Sequence, residues 1–174
     1  MKKIEEYIRT ISDFPKKGIL FRDITTLLSD KDGLRAAVDL MSREIENKDF
    51  DIVIGPESRG FIFGVPIAYN LGKAFVPVRK KGKLPAKTVE VSYNLEYGAS
   101  ALEMHKDAIK PDDKVVIVDD LIATGGTTKA ICELLEKLGA KIVKIVFLIE
   151  LEGLRGRDLL KNYDVASIIK YPES

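Results

Sequence analysis

Four consecutive β-branched residues, Val115 to Val118, run straight into two carboxylates, Asp119 and Asp120, and then into the loop Thr124-Gly125-Gly126-Thr127-Thr128. An unalternated apolar run fits a strand covered on both faces, as in a parallel sheet, since a strand with one wet face would alternate. Parallel sheets bind their ligands at the carboxyl ends of the strands, where the two acids would stand. Carboxylates there accept hydrogen bonds from vicinal hydroxyls, such as those of a ribose, or flank a hydrated Mg²⁺. The glycine pair lets the backbone turn tightly, and the N–H groups at a helix start suit a phosphate. Ile131, Leu134, Leu135 and Leu138 recur at helical spacing, Gly139 supplies a stop, and Ile142 to Ile149 reads as a second strand. The result is a β-α-β unit with a monophosphate site at its crossover. Neither G-x-x-x-x-G-K-[ST] nor G-x-G-x-x-G occurs, which argues against ATPase or dinucleotide chemistry. By composition alone, the same residues would also serve as a plain strand-to-helix turn capped by threonine.

A chain of 174 residues with 45% hydrophobic content suits one well-buried domain. Lys and Arg (28) balance Asp and Glu (27), so a net charge of +1 steers the molecule to neither nucleic acid nor membrane. The single cysteine, Cys132, excludes an internal disulfide or a zinc site of several thiolates, fits a reducing compartment, and reads as helix packing. The single histidine, His105, excludes a site of several imidazoles and reads as structural, and no Ser-His-Asp triad can be located. No signal-peptide core, membrane-length run or internal repeat is present, so a soluble, cytoplasmic protein is expected.

Taken in order, Ile4, Tyr7, Ile8 and Ile11 suggest a short amphipathic helix ending before Asp13. Phe14 to Thr25 reads as a loop in which Phe21 can either anchor a surface segment or stack a planar base, with Arg22 and backbone groups at the base edge. Asp30 or Asp32 caps a helix carrying Leu34, Val38, Met41 and Ile45, and Phe50 to Ile54 forms another buried strand. Gly55 to Gly64 turns into a helix expected to pack through Phe61, Val65, Ala68 and Tyr69. After a strand from Ala74 to Val78, Arg79 to Lys87 is strongly basic, either as solvated surface or as a reach toward phosphates from the same sheet end. Val89, Val91 and Tyr93 alternate with polar residues, which makes the stretch of about 79–98 a mobile hood. Beyond Ile149, a short helix should turn Leu159 and Leu160 inward before a closing strand, Val165 to Ile169.

The string from Val115 to Thr127 resembles the phosphoribosyl-pyrophosphate (PRPP) motif of the type I phosphoribosyltransferases. The resemblance implies their α/β fold, a central, mostly parallel sheet flanked by helices with a small hood, as one domain over residues 1–174. It places Asp119 and Asp120 along the ribose and Ala123, Thr124, Gly125, Gly126 and Thr127 around the 5′-phosphate. Glu57, Ser58, Arg59 and Gly60 would hold the pyrophosphate, with Arg59 as the charged contact, in a loop where relatives carry a non-proline cis peptide. Gly18-Ile-Leu-Phe-Arg-Asp-Ile-Thr25 is similar to the base-binding segment of adenine phosphoribosyltransferases, which implies stacking on Phe21, Arg22 near the ring and backbone recognition by Leu20. Leu95-Glu-Tyr-Gly98 is similar to their hood segment, so Glu96 would be the catalytic residue that manages the adenine proton, with Tyr97 beside it. Arg79, Lys80 and Lys83 of the hood would bring positive charge to the leaving group.

The implied reaction converts adenine and PRPP to AMP and pyrophosphate in purine salvage. Mg²⁺ would be bound mainly through PRPP, with no dedicated metal site on the protein. A homodimer is implied, with no nucleic-acid or membrane partner. Two alternatives stand: transfer to another purine base through the same PRPP loops, or a non-catalytic PRPP-sensing regulator. A regulator would be expected to add a binding module or a broad basic face.

Overall fold

The structure, a computed structural model, describes residues 2–95 and 98–172. Strand β7 (Lys114–Ile122) lies inside a seven-stranded sheet ordered β5-β6-β4-β3-β7-β8-β9. The other strands are β3 (Ile52–Pro56), β4 (Ala74–Lys80), β5 (Thr88–Leu95), β6 (Gly98–His105), β8 (Lys141–Leu151) and β9 (Val165–Tyr171). From β4 to β9 across the sheet, β4, β3, β7, β8 and β9 run parallel. The β5–β6 hairpin joins antiparallel to the far end of β4, where Arg79 and Lys80 pair with Glu103 and Leu102.

The unalternated valine run of β7 follows from burial on both faces. Val115 and Ile117 belong to one core with Ile131, Leu134 and Leu135 of helix α4 (Gly126–Lys137), and Val91, Leu102 and Met104 of the hairpin extend it. Val116 and Val118 belong to a second core. There they meet Val38 and Met41 of α2 (Lys31–Arg43) and Phe63 and Ile67 of α3 (Arg59–Asn70). Of the two expected caps, Asp30 is the one used, its side chain accepting from the N–H groups of Asp32 and Gly33. Cys132 packs fully buried on α4, and burial pushes its thiol up to about 12, in keeping with a packing role.

The amino terminus differs from the expected helix. A 3₁₀ turn, Ile4–Tyr7, leads into strand β1 (Arg9–Ser12), which pairs antiparallel with β2 (Leu20–Asp23) inside the segment read as a loop. The apolar spacing is real, since Ile4, Tyr7 and Ile8 do pack on the second core. From Arg9 onward, pairing across the ribbon prevails over helical spacing, with Ile11 opposite Phe21 and Arg9 bonded to the Asp23 carboxylate. In helix α3, Ala68 is buried as expected and Phe61 meets the Phe75 ring edge to face at 5.7 Å, but Phe63, Gly64 and Ile67 complete the inward face while Val65 and Tyr69 are exposed. Gly64 sets that face, because a Cβ there would meet the Phe75 ring at 2.7 Å. In the 3₁₀ turn Gly156–Leu160, Leu160 is buried and Leu159 is not.

Asp23 ties the ribbon to the one-turn helix α1 (Thr25–Leu28). Its carboxylate accepts from the Thr25 hydroxyl (2.7 Å) and backbone N–H (2.9 Å) and from the Arg9 guanidinium (3.1 Å). The Thr25 hydroxyl, then Arg9, then the Thr25 N–H hold its pKa at about 2. A carboxylate so depressed stabilises the fold fully above its unfolded pKa of about 4 and loses that contribution as the pH falls toward its folded value. The stability gap between wild type and Asp23→Asn should therefore be widest above about pH 5 and shrink steadily toward pH 2 in urea unfolding. A gap independent of pH would remove this role.

Candidate active site

Strands β3 and β7 are neighbours, yet the chain leaves them toward opposite faces, into α3 on one side and α4 on the other. The crevice at such a divergence is where open α/β sheets bind ligands. Here it is a cleft of about 630 Å³ lined by the turn after β3, the end of β7, the start of α4, and Lys80 and Lys83.

Asp119 and Asp120 form its floor and are almost completely buried. Asp119 Oδ1 accepts the backbone N–H of Asp120 at 2.8 Å, and Asp120 Oδ2 lies 3.0 Å from Arg59 Nε in an ion pair too poorly aligned for a hydrogen bond. Burial, and then the neighbouring Asp120 charge, push the Asp119 carboxyl well above the usual range. Burial also raises Asp120, with Arg59 opposing it. The pair is thus short of donors, and hydroxyls or a hydrated cation would meet that need.

Ala123, Thr124, Gly125, Gly126 and Thr127 line the adjoining wall, together with Leu121 and Ile122. Gly125 is the N-cap of α4 in the left-handed region (φ +81°), and having no side chain it leaves the first helical N–H groups uncapped. Uncapped N–H groups at a helix start are a general site for an anion such as phosphate.

Across the cleft, Glu57, Ser58 and Arg59 line the turn between β3 and α3, and the Glu57–Ser58 peptide is cis. Gly60 lies buried behind them, its missing side chain leaving room for Pro56 and Asp119 Oδ1. Glu57 itself faces a protein partner: it accepts from Lys80 N (2.6 Å) and from Arg79 Nη2 (3.0 Å). Burial alone would raise its pKa; the Lys80 N–H and the Arg79 guanidinium outweigh burial and lower it. Arg79 is therefore engaged outside the cleft, while Lys80 and Lys83 line it.

A second hollow of about 360 Å³ lies beside the first, formed by Ile11, Phe14, Phe21, Asp23, Ile24, Thr25 and Arg59. Arg59 borders both. The Phe14 and Phe21 rings meet edge to face at 5.1 Å. Leu20 and Arg22 alternate to the other side of β2. Arg22 stacks on Tyr171 at 3.8 Å and donates to the Thr10 hydroxyl, so its guanidinium does not face the hollow, contrary to the expectation of an arginine near the ring. Leu20 pairs with Ser12 in β1, and among the described residues the other edge of β2 carries no strand.

The expected site residues Glu96 and Tyr97 lie outside the described residues. His105, in β6, lines neither cavity. Sequence reasoning passed over Leu121, Ile122 and Phe14. The first two sit inside the motif but carry no polar group, and Phe14 opens a stretch whose Pro, Gly and charge content reads as loop.

The family model for the phosphoribosyl transferase domain matches residues 23–172. The adenine phosphoribosyltransferase of Lachnoclostridium phytofermentans is 66% identical over 171 residues, covering 98% of each chain. Among solved structures, adenine phosphoribosyltransferase from Thermoanaerobacter pseudethanolicus superposes with a TM-score of 0.93 at 51% identity, covering 97% of this chain and 98% of that one. The Saccharomyces cerevisiae enzyme, complexed with D-2,5-dideoxy-2,5-imino-altritol 1,6-bisphosphate and adenine, superposes at 0.89 with 37% identity over 95% and 96% of the two chains. The mostly parallel α/β fold expected from the sequence is the fold these proteins share. The chain belongs to the phosphoribosyltransferase family, within its adenine phosphoribosyltransferases.

Proposed function

We infer that this enzyme transfers 5-phosphoribose from PRPP to adenine, forming AMP and pyrophosphate. The observation that carries the reading is the meeting of two strand-end loops and two lysines on one polar cleft, joined through Arg59 to an aromatic hollow of base size. A polyanionic sugar fits the first cavity and a planar, weakly polar ring fits the second.

The uncapped start of α4 receives the 5′-phosphate, and Asp119 and Asp120 accept from the ribose hydroxyls. Ser58, Arg59, Lys80 and Lys83 surround the pyrophosphate. Phe21 offers its ring face to adenine, and the Leu20 backbone reads the amino edge. Held in line, adenine N9 forms its bond to C1′ as the bond from C1′ to the pyrophosphate oxygen breaks with its electron pair. Positive charge builds on the sugar as negative charge builds on the leaving group, where the lysines and Arg59 oppose it. The proton released by adenine is assigned to Glu96, on the likeness of Leu95 to Gly98 to the family's hood segment. Closure of a hood spanning about residues 79–98, within a single domain, would keep water from C1′.

Mg²⁺ fits as a companion of PRPP. Among the described residues no group of three metal-binding side chains exists, whereas two donor-poor carboxylates lie in an open, oxygen-lined cleft. Asp119 and Asp120 would border an ion bound with PRPP, which would supply neutralising charge for the departing pyrophosphate.

A homodimer is supported by α3, where Ile62 (37% exposed), Val65 (48%) and Tyr69 (84%) form an uncovered apolar stripe. No helix among the described residues is long and apolar enough to cross a membrane, and the single, buried cysteine suits the reducing cytoplasm.

With PRPP and Mg²⁺, pyrophosphate should be released with adenine and not with hypoxanthine, guanine or xanthine; release with one of those instead would move the acceptor. Phe21→Ala should raise the KM for adenine about tenfold or more and leave that for PRPP near wild type. Asp119→Asn should separate stability from function. A buried acid with a raised pKa costs stability as the pH rises above its unfolded value of about 4, so the neutral amide should raise Tm at pH 7, by roughly 2–4 °C per kcal/mol relieved. The same change should raise the KM for PRPP about tenfold. An unaltered KM would show that Asp119 does not touch the sugar. Val65→Asp should halve the mass seen in light scattering, and an unchanged mass would free α3 from the interface.

A further inference from the structure

We propose that Gly156 is a positioning residue for the 5′-phosphate, acting through backbone contact with the loop from Ala123 to Gly125. The proposal rests on the reading that this loop holds the phosphate.

Gly156 is buried at the start of its 3₁₀ turn, and a Cβ there would fall 2.2 Å from Ala123 O, 2.8 Å from Gly125 N and 2.9 Å from Ile122 Cγ1. The contact is mutual, since a Cβ on Gly125 would fall 2.4 Å from Gly156 O. Both glycines are thus needed for the two backbones to touch, but for different reasons. Gly125 also has φ +81°, whereas Gly156 lies outside the left-handed region, so the close approach alone demands glycine there. Even the smallest side chain at 156 would strike backbone atoms, which have no rotamer to move, and the loop would have to shift. A shift of a few tenths of an ångström at the N-cap re-aims the N–H groups that meet the phosphate.

The turn that carries Gly156 is anchored independently of the cleft. Arg157 donates to both oxygens of the buried Glu150, to Val165 O at 2.7 Å and to Ser167 Oγ at 3.1 Å. Glu150 stands on β8 directly opposite Ile122, the last residue of β7. Leu160 drives the other end of the turn into the core. The phosphate loop is therefore backed by a support fixed to β8 and β9.

The test compares AMP with adenosine, which differ by the phosphate alone, by calorimetric titration of the full chain. Wild type should prefer AMP by at least about tenfold. Gly156→Ala should cut that preference about fivefold or more, raise the KM for PRPP, and leave adenosine affinity within about twofold. Leu160→Ala, which removes core packing from the same turn, should lower Tm while leaving the preference unchanged. Arg157→Lys keeps the charge but loses the forked anchor, and should cut the preference about two- to fivefold. That variant decides the matter if Gly156→Ala does not fold. A preference in Gly156→Ala within about twofold of wild type, or, where that variant does not fold, no change in Arg157→Lys, would overturn the proposal. Equal binding of AMP and adenosine by wild type would remove the phosphate reading and the proposal with it.

Discussion

Two adjacent carboxylates, buried at the end of a central strand, set the terms for the rest of the molecule. Ionised groups removed from water without full partners are costly, and Asp119 and Asp120 answer with raised pKa values. They can be held there only by a frame that does not yield. The frame is β7, with β3 on one side, β8 on the other and helices over both faces. Because β3 and β7 send their chains to opposite faces, the cleft opens directly over the acids. The cost of burial leaves the site short of donors, which suits a ligand that brings hydroxyls or a hydrated cation.

Carboxylates also organise the basic segment that overhangs the cleft. Glu57 takes Arg79 and the Lys80 N–H, and the buried Glu103 on β6 accepts the N–H groups of Lys83 and Leu84 at 3.0 and 2.9 Å. Burial pushes the Glu103 carboxyl up, but those N–H groups and that of Gly82 outweigh it. Each acid fixes the backbone N–H of a lysine that lines the cleft. Five of the nine residues from Arg79 to Lys87 are basic; in the fold Arg79 holds the loop through Glu57, while Lys80 and Lys83 line the cleft.

That division marks the boundary of what the sequence discloses. The β-α-β unit, the acid pair and the glycine loop were legible because a buried parallel strand and a helix start impose strict local patterns. The helix read over Ile4 to Ile11 failed because an apolar spacing that fits a helix was satisfied by a 3₁₀ turn and a strand whose partner lies beyond a proline-containing loop. On α3 the expected packing holds for Phe61 and Ala68 but not for Val65 and Tyr69, because Gly60 and Gly64 decide which side approaches Pro56 and Phe75. Adjacency to Phe21 suggests that Arg22 meets the base, yet neighbours on a strand point opposite ways, and Arg22 stacks on Tyr171 from a distant strand. Gly156 sits in a segment without a motif, and only its distance to Ala123 gives it meaning.

The two cavities differ in how they are built. The polar cleft stands on the parallel sheet, where every strand is braced by neighbours and two cores. The aromatic hollow hangs on a two-stranded ribbon outside that sheet, held by Asp23 and by the stacking of Arg22 on Tyr171. A two-stranded ribbon has little stability of its own, so the hollow depends on these ties and on Ile24, Tyr7 and Ile8, which join the ribbon to the second core. Arg59, the first residue of α3, borders both cavities and is paired with Asp120. One guanidinium thus forms part of the wall of both cavities while it offsets part of the charge of the buried acid pair.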